Sequence, residues 1–494
     1  MKYKSTNIKK GISVLICLSV LVCIFVAAGI TNTSAAATPA FIYGDVNGDR
    51  EVNALDISLM KMYLLGTITT FPSNEGKNAA DVDKSGSVDS LDLSMMKKYL
   101  LGQGTLPDQD IEVPPVLEPI TIPVFSSLQA NAKLPDPFMY KTGAQRGTRI
   151  TTKSQWEQRR YEISQLAQAF EYGVKPDKPE LVSASFSGNI ITITCKQAGK
   201  TISFACSIQY PTTGKAPYPA MIGVNMNTLN TSEILKLGVA LITLPADEIA
   251  QEVDGSSRGK GKFFDLYGST YDAGALIAWA WGTDRLIDAL EMTPAANINP
   301  NKLGVTGGSR NGKGALAIGA FDERIALTIP QESGNGGASG WRTADAQRAA
   351  GQNVQTLSEI VGENVWFAKA LNQFVNNTTK LPYDHHEIEA LCAPRGLLVL
   401  ENPDFEWLGN LSCWNTSTAG RMIYQALGVQ DNMGYSSIGG HGHCVFPAAQ
   451  QPEVTAFIQK FLLGQNVSTN VFRSDKTYTF DKARWVDWTV PTLQ

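Results

Sequence analysis

The stretch from Gly304 to Lys313 reads Gly-Val-Thr-Gly-Gly-Ser-Arg-Asn-Gly-Lys and sets Ser309 between an apolar, strand-like lead-in and a helix-like run from Lys313 to Ala320. A serine on such a turn has an exposed hydroxyl with a helix N-terminus beneath it, the arrangement of a hydrolase nucleophile. Gly307 and Gly308 give the tight backbone room. The usual G-x-S-x-G pattern is broken, because Asn311 stands where the second glycine belongs. Such a serine needs a base, nearly always histidine. The chain has four: His385, His386, His441 and His443. The first pair precedes Glu387 in a polar run that reads as a helix start. The second lies in a Gly-rich segment past the last predicted strand, which gives the order serine, acid, histidine. The acid stays open. Glu401, Asp404 and Glu406 follow the predicted strand before the histidine loop, and Glu332 follows the strand before that one, just ahead of Ser333 and Gly334.

A second constellation repeats at a spacing of 36 residues: Asp45, Asn47, Asp49, Glu51, Asn53 and Asp56, then Asp81, Asp83, Ser85, Ser87, Asp89 and Asp92. Oxygen-bearing side chains at loop positions 1, 3, 5, 9 and 12, with a backbone carbonyl at 7, are the spacing that wraps Ca²⁺. Position 12 is Asp rather than the Glu of an EF-hand. Each loop is followed by an apolar helix, Ile57 to Gly66 and Leu93 to Gly102. Two matched loops with matched helices resemble a type I dockerin over residues 42–103. The resemblance implies two structural calcium ions and a cohesin module of a scaffolding protein as partner. Positions 10 and 11, which help choose the cohesin in that family, are Ala54-Leu55 and Ser90-Leu91, with Lys61, Lys97 and Lys98 further along. The halves are near copies, so either of two binding orientations is expected.

Around these residues the elements alternate. Ile191–Thr194 and Ser203–Gln209 read as paired strands, and Ala220–Val224 and Val239–Thr243 as buried parallel strands. Gly274–Leu290 reads as a helix, Leu303–Thr306 as the lead-in to Ser309, and Ile325–Ile329 and Leu397–Leu400 as further buried strands. The pattern predicts an α/β fold with a doubly wound sheet, whose functional residues gather at the carboxyl ends of the strands. At 494 residues several units are expected. Lys2, Lys4, Lys9 and Lys10 precede an apolar run from Ile12 to Ala28 and small residues at Ser34–Ala37, a secretory signal over 1–37. Its removal takes four lysines and no acid, moving the net charge from −4 to −8. With no basic run, nucleic acid is excluded as a partner, and no membrane association is expected after signal removal. Prolines between 104 and 123 read as a semi-extended linker to a large unit over 124–494. Of the five remaining cysteines, Cys195 and Cys206 could form a disulfide across a hairpin near Gly199.

Gly307–Gly314, Gly319–Gly334, Gly362–Phe367, Trp407–Gly409 and His443–Pro447, in that order, closely resemble the glucuronoyl esterases, carbohydrate esterase family fifteen, over roughly 120–490. The resemblance implies an α/β-hydrolase that cleaves the ester between 4-O-methylglucuronic acid of xylan and lignin alcohols, extracellularly, beside other polysaccharide-degrading enzymes on a scaffold. It implies Ser309 as nucleophile, His443 as base and Glu332 as acid, with Asp404 or Glu406 as the usual-position alternative. Arg310 would help hold the oxyanion, and Lys313, Gln355, Glu363 and Trp407 would contact the glucuronate. No catalytic cofactor is expected. Fungal members carry a Cys before the serine, bridged to the Cys after the histidine; Gly308 leaves Cys444 without that partner. A xylan acetyl or feruloyl esterase, or a non-catalytic carbohydrate-binding component, are the alternatives.

Overall fold

A computed structural model describes residues 42–49, 51–73, 75–106 and 117–494; the expected signal over 1–37 and the middle of the expected linker lie outside them. Two compact units divide between Val116 and Leu117. Among the described residues no helix is long and apolar enough to cross a membrane.

The first unit holds helices α1 (Ala54–Leu64) and α2 (Ser90–Leu100), each opened by the last part of an acidic loop. Asn53 and Asp89 occupy the helix N-caps, with Oδ1 accepting from the N–H of Leu55 at 2.8 Å and of Leu91 at 2.7 Å. Asp56 and Asp92 return the bond to the cap backbone, so both starts are capping boxes. Val46, Ile57, Met60, Phe71, Ala80, Val82, Met96 and Leu106 make the unit's core.

The second unit is built on one ten-stranded sheet. Its strands are β1 (Leu181–Ser187), β2 (Ile190–Gln197), β3 (Lys200–Gln209), β4 (Tyr218–Val224), β5 (Ala240–Leu244), β6 (Ile298–Gly308), β7 (Ile325–Gln331), β8 (Gly396–Glu401), β9 (Met433–Ser437) and β10 (Phe472–Ser474), in spatial order β1-β2-β3-β5-β4-β6-β7-β8-β9-β10. The first three run antiparallel, as does the β3–β5 pair, and everything from β5 to β10 is parallel. Parallel strands need helical crossovers, which cover both faces and make the strands apolar throughout. Alternation along β4, β5 and β8 feeds two cores. Leu397 and Val399 of β8 join the core under helices α4 (Ala275–Met292), α5 (Arg310–Phe321), α8 (His385–Ala390) and α9 (Asn410–Ala426); Leu398 and Leu400 join Val454, Phe457 and Ile458 of α10 (Gln451–Phe461). Between α5 and α8 lie α6 (Trp341–Ala349) and α7 (Leu357–Glu363); α3 (Lys153–Ala167) precedes the sheet.

One open question is answered and one expectation corrected. Cys195 pairs with Ile202 and Cys206 with Ile191 across the β2–β3 ladder, so the two thiols are not cross-strand neighbours; both are free and buried. The histidine loop is also not past the last strand, since β9 precedes it and β10 follows it. Those two strands are short, and β9 is rich in Gly and Ser, so neither shows a β-branched run. The backbone ladder is completed by burying Ser436 and Ser437, with the Ser436 hydroxyl donating to Glu453 at 2.9 Å.

Candidate active site

β6 delivers its last residues, Gly307 and Gly308, to the carboxyl edge of the sheet, and α5 begins immediately beyond Ser309. Ser309 has φ 57° and ψ −125°, a conformation an L-residue adopts only when its surroundings impose it. The imposing contacts are visible. A Cβ on Gly307 would lie 2.4 Å from the Asn311 carbonyl oxygen, one on Gly312 would lie 2.7 Å from that of Gln331, and one on Gly308 would lie 2.8 Å from Cys444 Sγ. Asn225 also braces the turn, donating to Asn311 Oδ1 at 3.0 Å. The Ser309 N–H donates to Gln331 O at 2.9 Å, which ties the turn to the end of β7.

Glu332 follows at φ 45°, buried, its N–H held by Leu400 O at 2.7 Å. Its Oε2 lies 2.7 Å from His443 Nδ1. That contact fixes the tautomer with the proton on Nδ1 and turns Nε2 outward. Nε2 lies 3.6 Å from Cys444 Sγ, and Ser309 is not hydrogen-bonded to His443. The contact between Gly308 and Cys444 nevertheless sets the serine turn directly against the histidine loop. Non-glycine residues at positive φ gather here: Asn225, Ser309, Glu332 and Cys444. The Cys444 thiol is pushed up to about 12 by burial and by the charges of Glu332 and Glu401.

The other acid candidates lie elsewhere. Asp404 Oδ2 accepts the Gly440 N–H at 2.7 Å, and its Oδ1 lies 3.8 Å from Lys476 Nζ; it holds the histidine loop's backbone and not the ring. Glu406 starts a short 3-10 turn. Glu401 is buried behind Glu332, and burial together with the Glu332 charge raises it to about 8. His441 is pinned by Ile438 O and Asn402 rather than by Glu332, whose Oε1 is 3.9 Å away. His385 and His386 are fully buried at the start of α8, far along the chain from the loop that carries His443.

The residues expected to meet the sugar come from four elements. Lys313, on the first turns of α5, is buried rather than a surface charge. Its Nζ donates to Ser333 O at 2.5 Å, lies 5.3 Å from the Trp366 ring centre, and is lowered to about 8 by burial. Gln355 and Glu363 are hydrogen-bonded side chain to side chain, and the Gln355 N–H donates to Trp407 O at 3.1 Å. Trp407 leaves 39% of its surface exposed, so it is no core aromatic. Arg310 is half exposed, with Nε 3.4 Å from Glu252 Oε1. Glu252 is the residue the sequence did not flag. It is buried, accepts from Trp366 Nε1 at 2.7 Å and from Asn364 Nδ2 at 3.1 Å, and so orients Arg310. Its partners lie 58 to 114 residues away, which leaves no local signal.

The acidic loops fit a divalent cation. Carboxylate oxygens of Asp81, Asp83 and Asp92 converge within 4.8 Å. Burial, with the like charges of Asp49 and Asp45, raises Asp56 to about 6, a crowding that a hard cation relieves.

A family model described as fungal glucuronyl esterase matches residues 193–428, and one described as a dockerin type I domain matches 43–101. A 4-O-methyl-glucuronoyl methylesterase of Hypocrea jecorina is 51% identical over 372 residues, covering 75% of this chain and 78% of that one. A glucuronoyl esterase from Sporotrichum thermophile, solved as a serine-to-alanine variant in complex with methyl 4-O-methyl-β-D-glucopyranuronate, superposes with a TM-score of 0.72 at 45% identity, covering 76% of this chain and all of that one. A bacterial glucuronoyl esterase from Caldicellulosiruptor kristjansonii gives 0.64 at 31% identity over 74% of this chain and 98% of its own.

Proposed function

The chain belongs to the glucuronoyl esterase family, and on that premise we propose that it hydrolyses the ester joining the C6 carboxyl of 4-O-methylglucuronic acid on xylan to a lignin alcohol. The observation that carries this reading is the 2.7 Å contact between Glu332 and His443, with Ser309 on the strained turn beside them. Ser309 Oγ attacks the ester carbon while His443 Nε2 takes its proton. Glu332 stabilises the imidazolium. The negative oxygen is received at the N-terminus of α5 by the N–H of Arg310 and by its guanidinium, aimed by Glu252. The carbonyl re-forms, the alcohol leaves with the proton from His443, and water, activated by the same histidine, releases the free uronic acid and Ser309.

Lys313, Gln355, Glu363 and Trp407 hold the sugar, a polar set that an acetyl or feruloyl group does not need. On the alcohol side Met226, Val253 and Val445 are exposed by 57%, 79% and 59%. Met226 follows β4, Val253 adjoins Glu252 and Val445 adjoins Cys444 in the chain, and these exposed apolar side chains are the surface we assign to an aromatic alcohol. The first unit binds two calcium ions through the twelve loop residues and docks on a cohesin, which holds the enzyme outside the cell in a cellulosome once the signal over 1–37 is removed.

The test is hydrolysis of benzyl glucuronate beside acetylated xylan and a feruloyl ester, with Ser309→Ala as control. Selective cleavage of the glucuronate ester, abolished in the variant, is expected. Preference for either other ester would sink the substrate assignment, and no turnover of any would point to a binding component.

A further inference from the structure

A cavity of about 250 Å³ in the second unit contains none of the candidate catalytic or sugar-contacting residues. Its walls are the segment around Ser127–Asn131, the loop from Met139 to Gly147, and Lys380–Pro382. Three cations line it, Lys141, Arg146 and Lys380, and no acidic side chain does. None of the three makes an ion pair among the described residues. Lys380 Nζ rests 4.6 Å from the centre of the Phe125 ring, and burial lowers Lys141, with Asp136, Glu162 and Glu387 opposing that and Arg159 adding to it from behind the wall. Ser127, Gln129 and Asn131 add neutral hydrogen-bonding groups, and Leu128, Met139 and Tyr140 add apolar surface.

The walls are braced rather than loose. The buried Arg342 donates to Asn131 O at 2.9 Å, Thr379 O at 3.1 Å and Leu381 O at 2.5 Å, and the Asn131 N–H donates to Thr379 O at 2.8 Å. Two of the three walls are thus stapled by one guanidinium, which in turn is held by Asp384 at 2.9 Å. A pre-formed hollow with unpaired cations, amide groups and an apolar side suits a single sugar ring bearing a carboxylate.

We propose that this cavity is a second carbohydrate site, which binds a free uronate on the polymer. The inference rests on the glucuronoxylan reading above for its choice of ligand. De-esterification converts a neutral ester into a carboxylate, and neighbouring substituents of the same chain carry that group already. A site selective for the anion would hold the polymer while the catalytic site works on the ester.

The test uses full-length Ser309→Ala, titrated calorimetrically with a 4-O-methylglucuronate-bearing xylo-oligosaccharide, and the same protein with Lys141→Met and Lys380→Met added. Two classes of site are expected in the first protein, and one of them weakened at least ten-fold in the second. Exposed Arg146→Gln, which leaves the braced walls intact, serves as an independent variant and should weaken the same class several-fold. Coincident isotherms for all three proteins, or equal binding of the neutral xylo-oligosaccharide, would overturn the proposal. Galacturonate oligomers distinguish a general uronate site from a glucuronate site, both within the proposal; inorganic phosphate competing as well as the sugar would reduce the cavity to an anion hole and overturn the carbohydrate assignment. Turnover of benzyl glucuronate by the wild type is read separately, so failure of the catalytic reading is distinguishable from failure of this one.

Discussion

Two carboxylates near the histidine loop make different contacts, and the difference predicts different losses. Glu332 touches the His443 ring, whereas Asp404 touches the backbone at Gly440. Glu332→Gln should lower kcat on benzyl glucuronate by about 10³ to 10⁴, the scale seen when an acid that sets the tautomer is neutralised. Asp404→Asn should cost far less, through loop placement alone. Equal losses in steady-state assays would remove Glu332 from the acid role. The neighbouring thiol does not compete with Ser309, because at a value near 12 Cys444 carries almost no thiolate at neutral pH. Ser309 and the histidine loop were legible in the sequence, each in a short motif, whereas the acid stayed open between Glu332 and Glu401, Asp404 or Glu406, because each follows a strand end and only the fold brings Glu332 to the His443 ring. Glu252 was not legible, because it acts through Arg310 and Trp366, which only the fold brings to it.

The elements show where burial, rather than motif, decides. The start of α8 carries two adjacent histidines with opposite behaviour. His386 Nε2 donates to Pro135 O at 3.0 Å, its Nδ1 has no hydrogen-bond partner, and burial lowers the ring to about 4. Asp384 opposes that shift, as does the Pro135 bond, while Arg342 and Lys141 add to it. A depressed histidine contributes stability above its unfolded value near 6.5, which is lost as pH falls toward 4; the full contribution is about 3 kcal/mol. His385 faces Glu171 at 2.9 Å and is raised, so its contribution is present at low pH and lost as pH rises. Between pH 6.5 and 4 the melting temperature of the wild type should therefore fall relative to that of His386→Gln, when both are followed by circular dichroism. Equal slopes in the two proteins would refute the assignment. Strands β4 to β8 could be read from their apolar runs, because parallel strands are buried on both faces. β1 alternates with exposed polar residues, and β9, five residues with no β-branched side chain, ends in two serines, so pattern alone passed over both.

At the scale of the molecule, two units with separate cores imply two stabilities. The first has a core of eight buried residues and two acidic loops, too little to fold well without its metal. Chelation by EGTA should abolish a low-temperature calorimetric transition and cohesin capture, while kcat on benzyl glucuronate stays within about two-fold. A matched loss of activity would show that calcium also supports the catalytic unit. The catalytic unit has a different means of gaining strength. The position a Cβ would take on Gly308 lies 2.8 Å from Cys444 Sγ and 3.2 Å from its Cβ, close to the spacing of a bonded pair. Gly308→Cys would join the Ser309 turn to the His443 loop, across more than a hundred residues of chain. By loop-closure entropy such a link is worth up to about 5 kcal/mol. Its effect belongs to endurance rather than rate: after hours of incubation at elevated temperature the oxidised variant should retain activity that the parent has lost, and a reductant should erase the advantage. The native protein, with glycine at that position, forgoes this durability at the seam between the Ser309 turn and the His443 loop.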